Sequence, residues 1–416
     1  MTYLMSTRCT TFIIALLLSI GSSSVFAQTA EQEQGQESKK PSIPLEDIAT
    51  FADVFNRIKN EYVEPLSDEE LLRYAIRGMA EELDPYSTYL DSKQYGYVRE
   101  DTQGKFGGLG VRITHNRSGL AVISPIDNTP ATDADIRAGD IIIQVDGKRL
   151  SGLKRKESID LLRGEVGSKV SISLIREGEE KPLKKELIRE FIQQKTISST
   201  WLKKDVAYIR ISQFQAATAG DFRDALFNFQ ADSERELAGL VVDLRNNPGG
   251  LLNSAISISD VFLKQGTIVS TKSRKKNADR KYAATAKDFS KGIPLVVLIN
   301  GASASAAEIV AGALQDNQRA TIFGEQSYGK GSVQSVINLG DNSALKLTTA
   351  KYYTPNGRSI DSIGIMPDVI IEAGKFVPPI TRDARAARQN KGQEHDELLE
   401  RDQQLRKAVE FLQEAI

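Results

Sequence analysis

Apolar residues change their spacing along the chain, and each change marks a different kind of element. Phe12 to Ile20 is an almost unbroken apolar run, preceded by Arg8 and followed by small residues ending in Val25-Phe26-Ala27. That order predicts a secretory signal over 1–27, and the run is too short for a comfortable membrane span. Residues 28–44 carry little apolar content and read as a flexible linker. From 45 onward, Ile48, Phe51, Val54, Phe55, Ile58 and Tyr62 recur at helical spacing. Ser67 and Glu70 have the spacing of a capping box, so a second helix opens there and runs to about Leu83. Asp84-Pro85 ends it, and Leu83 to Leu90 follow as a compact turn. Together, 45–103 form an N-terminal helical region.

Over 104–190 the pattern becomes short strand-like runs punctuated by glycine. Val111, Ala121-Val122-Ile123, Ile141-Ile142-Ile143 and Val170 to Leu174 are such runs, with one helical stretch at about 154–163. This is the texture of a small β-rich domain. Across 191–375 strands alternate with helices. Strands are expected at Val206–Ile211, Leu240–Leu244 and Leu295–Ile299, and helices at Ala219–Asp232, Asn253–Phe262 and Ala306–Gln315. Such α/β layering gathers sites at the carboxyl ends of strands. The remainder, 376–416, is a charged linker and a last helix with Leu405, Val409, Leu412 and Ile416 along one face. That face would be exposed in a monomer, so association through the terminal helices is expected; packing back onto the same chain is the other solution.

Charge narrows the partners. The net charge is -1, with no basic stretch that suggests nucleic acid. The single cysteine, Cys9, precedes the apolar run, so a chain cleaved after Ala27 has none. Disulfides, thiol catalysis and cysteine-held metals are then excluded. The two histidines, His115 and His395, fall in the β-rich domain and the charged tail, both poor places for a Ser-His-Asp base.

Three segments carry candidate chemistry. In Val296 to Ile309 a buried strand runs through tiny residues straight into a helix, with Ser305 at its start. A serine there has amide donors and the positive dipole end beside it, although an N-cap serine needs no further role. Lys330 stands between Gly329 and Gly331, which let backbone pack closely around it. A lysine acts as a base only when desolvation lowers its pKa; a surface turn lysine is the plainer alternative. Gln334, four residues on, could orient the amine. Asp243 to Gly250 follows a strand and precedes a helix, and such a turn presents amides to a developing negative charge or is simply a Pro-Gly turn.

Taken in order, these segments resemble the carboxyl-terminal processing peptidases, or tail-specific proteases. In that family a serine in a Ser-Ala-Ser-Ala-type run and a lysine in Gly-Lys-Gly form a catalytic dyad. Here Ser305 and Lys330 are 25 residues apart, as in the family pattern. The resemblance implies Gln334 as support for the lysine, and Ala306 with Gly249 or Gly250 as oxyanion donors. Leu83 to Leu90 looks like the family's N-terminal signature, with Tyr86 where histidine is common, and Ala307 stands where many members have serine. The implied fold class is α/β: a crotonase/ClpP-like layered protease core, an inserted β-rich PDZ domain, and helical segments at both ends.

The 104–190 segment resembles that PDZ domain. Gly108-Leu109-Gly110-Val111 looks like its carboxylate-binding loop, and Ile159 and Leu162 would border the side-chain pocket. A peptide would add there as an edge strand, its terminal carboxylate held by successive amides. The implied protein is an exported, periplasmic serine endopeptidase that binds substrate C-termini, with possible membrane association. It needs no cofactor and no metal. An adaptor protein and a homo-oligomer are expected partners. The reading from another class is a proteolytically silent PDZ adaptor or chaperone, which would keep the groove and lose the dyad. A fold-related hydratase or acyl-transfer enzyme is a further alternative, disfavoured by the PDZ-like insertion.

Overall fold

The computed structural model describes residues 44–126, 128–285, 287–372 and 399–415. The segment expected to be an export signal, with Cys9, the expected linker, most of the charged tail with His395, and Ile416 lie outside the described residues. The chain divides into two units, 1–71 and 72–416. In the first, the helix Leu45–Glu61 has no buried residue. Ser67 and Glu70 close the expected capping box: Glu70 accepts from Ser67 N at 3.0 Å and its own amide donates to Ser67 Oγ at 3.2 Å. The helix they open runs Asp68–Glu81, ending slightly before Leu83.

The centre of the second unit is a six-stranded sheet. Its order is Ile197–Trp201, Val206–Ile211, Gly239–Asp243, Leu295–Ile299, Thr321–Gly324 and Val369–Ile370. The first pair is antiparallel and the rest parallel. Parallel strands are covered on both faces, so their sequences read as continuous apolar runs. Alternate residues nevertheless go to different layers, as the strand period of two requires. Ile209, Ile211, Val242, Val297 and Ile299 pack with the helices Thr218–Gln230, Leu252–Asp260 and Ala306–Asp316. Tyr208, Val241, Val296 and Leu298 face the other way, against Leu405, Ala408, Val409 and Leu412 of the helix Gln403–Ala415.

This corrects the expectation for the C-terminal helix. Leu405, Val409 and Leu412 are buried against the chain's own sheet and are not a free surface. Amphipathicity shows that a helix face needs a partner, and here the second face of the sheet needed one too.

A second, five-stranded sheet has no counterpart in the sequence reading. The long strand Ala344–Tyr353 pairs with Ser332–Asn338, with Thr267–Ser273 and with Thr88–Leu90. The Leu83 to Leu90 turn thus ends in a strand whose Thr88 sits opposite Lys346. A helix, Ser92–Gln103, follows it, capped by Asp91 and Gln94.

The β-rich segment forms its own sheet, Val111–Asn116, Gly119–Pro125, Ile141–Val145, Lys169–Ile175 and Leu183–Ile188, with the helix Arg155–Leu162 packed beside it. Leu120, Ile142, Ile172 and Leu174 make a separate core.

Candidate active site

Ser305 is the N-cap of the helix Ala306–Asp316, at φ 54 and ψ -112. A non-glycine residue held there costs on the order of 1–3 kcal/mol and persists only where the surroundings over-determine it. They do so here. Ser303 Oγ donates to the Leu244 carbonyl at 2.8 Å and accepts from Asn300 N at 2.9 Å. Ala304 N donates to the Asn247 carbonyl at 2.9 Å. Gly249, at φ 101, packs so closely that a Cβ would lie 2.8 Å from the Ser305 Cβ. The Ser305 turn and the Asn246 to Gly250 turn are therefore stitched into one block.

The amides around Ser305 sort into bonded and open ones. Gly249 N donates to Asn247 Oδ1 at 2.8 Å, so its N–H is already used. Among the described residues, Ala306 N and Gly250 N have no acceptor. Of the three expected oxyanion donors, these two are open in this arrangement. Tyr352, which sequence reasoning missed, faces Ser305 without the geometry of a full hydrogen bond. Burial pushes its hydroxyl up to about 12, against an opposing contribution from Ser305.

The turn is anchored from behind by a buried ionic cluster. Arg245 binds Asp243 through Nη2 at 2.7 Å and Asp402 through Nη2 at 2.7 Å, and Tyr208 donates to Asp243 at 2.7 Å. Burial alone would raise the Asp243 pKa, but the Arg245 guanidinium holds it below the usual carboxylate range. Asp402 immediately precedes the C-terminal helix, so that helix is tied to the oxyanion-type turn as well as to the sheet.

Glu308 links the Ser305 and Lys330 segments, although sequence reasoning did not single it out. Its spacing from Ser305 is that of a capping box, which is the signal that points to it. It is fully buried and accepts from Ser305 N at 2.6 Å, Ser327 Oγ at 2.6 Å, Gly329 N at 2.6 Å and Lys330 N at 3.0 Å. Burial raises its pKa, and those four donors work in the opposite direction. One carboxylate thus fixes the backbone of Ser305 and of Lys330. The flanking glycines have the expected purpose: a Cβ on Gly331 would lie 2.3 Å from Asp361 N, and one on Gly329 3.0 Å from Ile363 N.

The lysine side chain is less constrained. Among the described residues, Lys330 Nζ makes no hydrogen bond, to Ser305 or to any other group; it lies over the Tyr86 ring, 4.4 Å from the centroid. Burial lowers its pKa, with Lys346 adding to the effect and Asp84 and Glu308 opposing it. Gln334 is also elsewhere than expected. From the strand Ser332–Asn338, its Nε2 donates to Ser332 Oγ at 2.8 Å and Thr348 Oγ1 at 3.3 Å. The structure brings the backbones of Ser305 and Lys330 together, but not Ser305 Oγ, Lys330 Nζ and Gln334. His115 bonds the Leu153 carbonyl at 3.1 Å within the β-rich domain.

Comparison with known proteins decides the family. Residues 205–371 match the model of peptidase family S41 and 107–187 that of a PDZ domain. Residues 7–94 match one described as the N-terminal domain of the activating protease CtpB. The chain is 44% identical over 362 residues to the carboxy-terminal-processing protease of Bartonella bacilliformis, covering 87% of this chain and 82% of that protein. It is 36% identical over 323 residues to a carboxyl-terminal-processing protease of Synechocystis, covering 76% and 74%. The chain belongs to the carboxy-terminal processing proteases of peptidase family S41. It is a serine peptidase with a PDZ domain. Among solved structures, a photosystem II D1 C-terminal processing protease is 28% identical, with a TM-score of 0.48, over 79% of this chain and 94% of that one.

In this S41 protease the PDZ domain carries a groove of about 970 Å³. Gly108, Leu109, Gly110 and Val111 line it, together with Ile159 and Leu162 of the helix Arg155–Leu162. Among the described residues, Leu109 N and Gly110 N have no acceptor. Gly110, at φ 79, abuts Thr129 so tightly that a Cβ would meet it at 2.2 Å.

Proposed function

We propose that this protease is an exported endopeptidase that captures substrate C-termini in its PDZ groove and cleaves with Ser305 as nucleophile and Lys330 as general base. The observation that carries this reading is the shared anchoring of both residues: Glu308 bonds the Ser305 and Lys330 amides, beside the open N–H groups of Ala306 and Gly250. In the reaction, neutral Lys330 Nζ leaves Tyr86 and takes the Ser305 proton as Oγ bonds to the scissile carbonyl carbon. The two open amides hold the oxyanion. The C–N bond breaks as the Lys330 ammonium returns that proton to the leaving amine. Water, deprotonated by the same amine, then releases the new carboxyl end and regenerates Ser305. Gln334 would turn from Ser332 to support the amine in the closed site.

The side-chain arrangement described above is then a resting one. Binding of a peptide terminus by Leu109 N and Gly110 N shifts the population toward the closed dyad. The apolar residues Ile48, Phe51 and Val54 on the exposed face of Leu45–Glu61 support assembly through the N-terminal helix, with another copy or an adaptor. The order of residues 1–27 supports export to the periplasm.

The test is turnover of an unfolded protein by wild type, Ser305→Ala and Lys330→Ala, with and without an added peptide bearing an apolar C-terminus. Loss of cleavage in both variants, and faster wild-type cleavage with peptide, are expected. A folded Lys330→Ala protein that cleaves as wild type does would remove Lys330 from the mechanism.

A further inference from the structure

Tyr86, in the Leu83 to Leu90 turn, touches the lysine segment of the site. The turn is rigid. Asp84 Oδ1 accepts from Tyr86 N at 2.8 Å and Ser87 N at 2.9 Å, and Asp84 Oδ2 from Ser87 Oγ at 2.8 Å. Ser87 Oγ in turn accepts from Thr348 N at 3.1 Å, and Thr88 pairs with Lys346 on the same strand. Ser87 is buried. These bonds fix the Tyr86 backbone beside the lysine segment. Its ring face is where Lys330 Nζ rests, 4.4 Å from the centroid, with no competing hydrogen bond among the described residues.

We propose that Tyr86 is a positioning residue for Lys330, its ring face serving as the seat on which the protonated amine is held until the dyad closes. The proposal rests on the reading of Lys330 as general base. A ring quadrupole attracts an ammonium and gives little to a neutral amine. The seat therefore favours the charged form, which cannot take the Ser305 proton. It opposes the burial and the Lys346 charge that favour the neutral one. The other groups facing the amine are Asp84 on the same turn and Glu308 on the nucleophile helix, both of which favour the ammonium. Tyr86 itself has burial, Tyr328, Asp361 and Asp84 around it, all raising its hydroxyl pKa, so the phenol stays neutral and the ring acts as a face, not as an anion.

The sign follows. Weakening the ring quadrupole makes Lys330 lose its proton more readily, so the acid limb of kcat/KM moves to lower pH. A partly desolvated cation–π contact corresponds to a shift of about one pH unit. The experiment replaces Tyr86 by phenylalanine and then by mono-, di- and trifluorinated phenylalanine, which keep the ring shape while draining its face. The pH dependence of kcat/KM is measured on a peptide reporter, with circular dichroism to confirm folding. Tyr86→Phe should keep the wild-type limb, and each added fluorine should lower it, by about one unit over the series. A limb that stays fixed across the series, or moves as far with Tyr86→Phe as with the trifluorinated ring, overturns the proposal. So does a folded series that loses activity at the first fluorine. Lys330→Ala, run alongside, separates the two claims. If it retains activity, the base assignment fails; if it is inactive and the limb does not follow fluorination, only the role of Tyr86 fails.

Discussion

The two halves of the proposed active site are held by different physics. On the Ser305 side, backbone, glycine and buried charge leave Ser305 one conformation, down to a positive φ. The turns carrying Ser303, Asn247 and Gly249 bond to one another, and Arg245 anchors them between Asp243 and Asp402. On the lysine side, Glu308 fixes only the backbone, and the half-buried side chain rests on an aromatic face. A preorganised oxyanion region lowers the barrier without rearrangement, so rigidity there is useful. A base that must be neutral to act and charged afterwards gains from a site where small contacts decide its protonation and place. The contrast teaches that such an enzyme can be switched through its base while the rest of the site stays built.

The largest effect should come from removing either reacting group. Ser305→Ala and Lys330→Ala should each lower kcat by about 10⁴-fold or more, and their combination little further, since the pair acts as a unit. Additive losses would mean that the two halves work independently. Next, Arg245→Ala attacks the rigid half from behind. Stranding buried Asp243 and Asp402 should cost about 3–5 kcal/mol of stability, read by chemical denaturation. An unchanged midpoint would show that the turn is held by its neighbours alone. Glu308→Gln cuts across the comparison, because it replaces one of two buried accepting oxygens by an NH2 donor that meets the donors now bound there, Ser305 N and Lys330 N or Ser327 Oγ and Gly329 N. A loss of about 1–3 kcal/mol, split between stability and kcat, is expected. A pure stability loss with normal kcat would place Glu308 outside the positioning of the site. Smallest is the groove: Gly110→Val forces a side chain into Thr129 and should abolish the response to added C-terminal peptide while sparing the basal rate. A normal response would move peptide capture elsewhere.

Sequence reasoning reached some of this geometry and not the rest, for physical reasons. Ser305, Lys330 and the Asp243 to Gly250 turn were legible because each needs a local pattern: tiny residues before a helix, glycines around a lysine, a turn after a buried strand. The groove glycines were legible for the same reason. Gln334 was legible as a residue but not in its partners, since Thr348, which it meets from the strand Ser332–Asn338, lies on a neighbouring strand distant in the chain. Tyr86 depends on a pairing between Thr88 and Lys346, and no local pattern spans that distance in the chain. The C-terminal helix showed an apolar face without showing whose surface would cover it; the answer lay in the alternate residues of central strands such as Val241 and Leu298.

The central claim is that a neutral amine at position 330 takes the Ser305 proton. Burial places the Lys330 pKa below that of an ordinary lysine, so activity should rise with pH through that lowered value. The direct measurement uses the chain's single cysteine content: with Cys9 replaced, Lys330→Cys gives one thiol. Aminoethylation of that thiol builds a lysine analogue with a more acidic amine. The unmodified variant should be inactive, and modification should restore cleavage with the acid limb of kcat/KM moved to lower pH. Restored activity with the limb unmoved, or activity in the unmodified Lys330→Cys protein, would contradict the role assigned to Lys330.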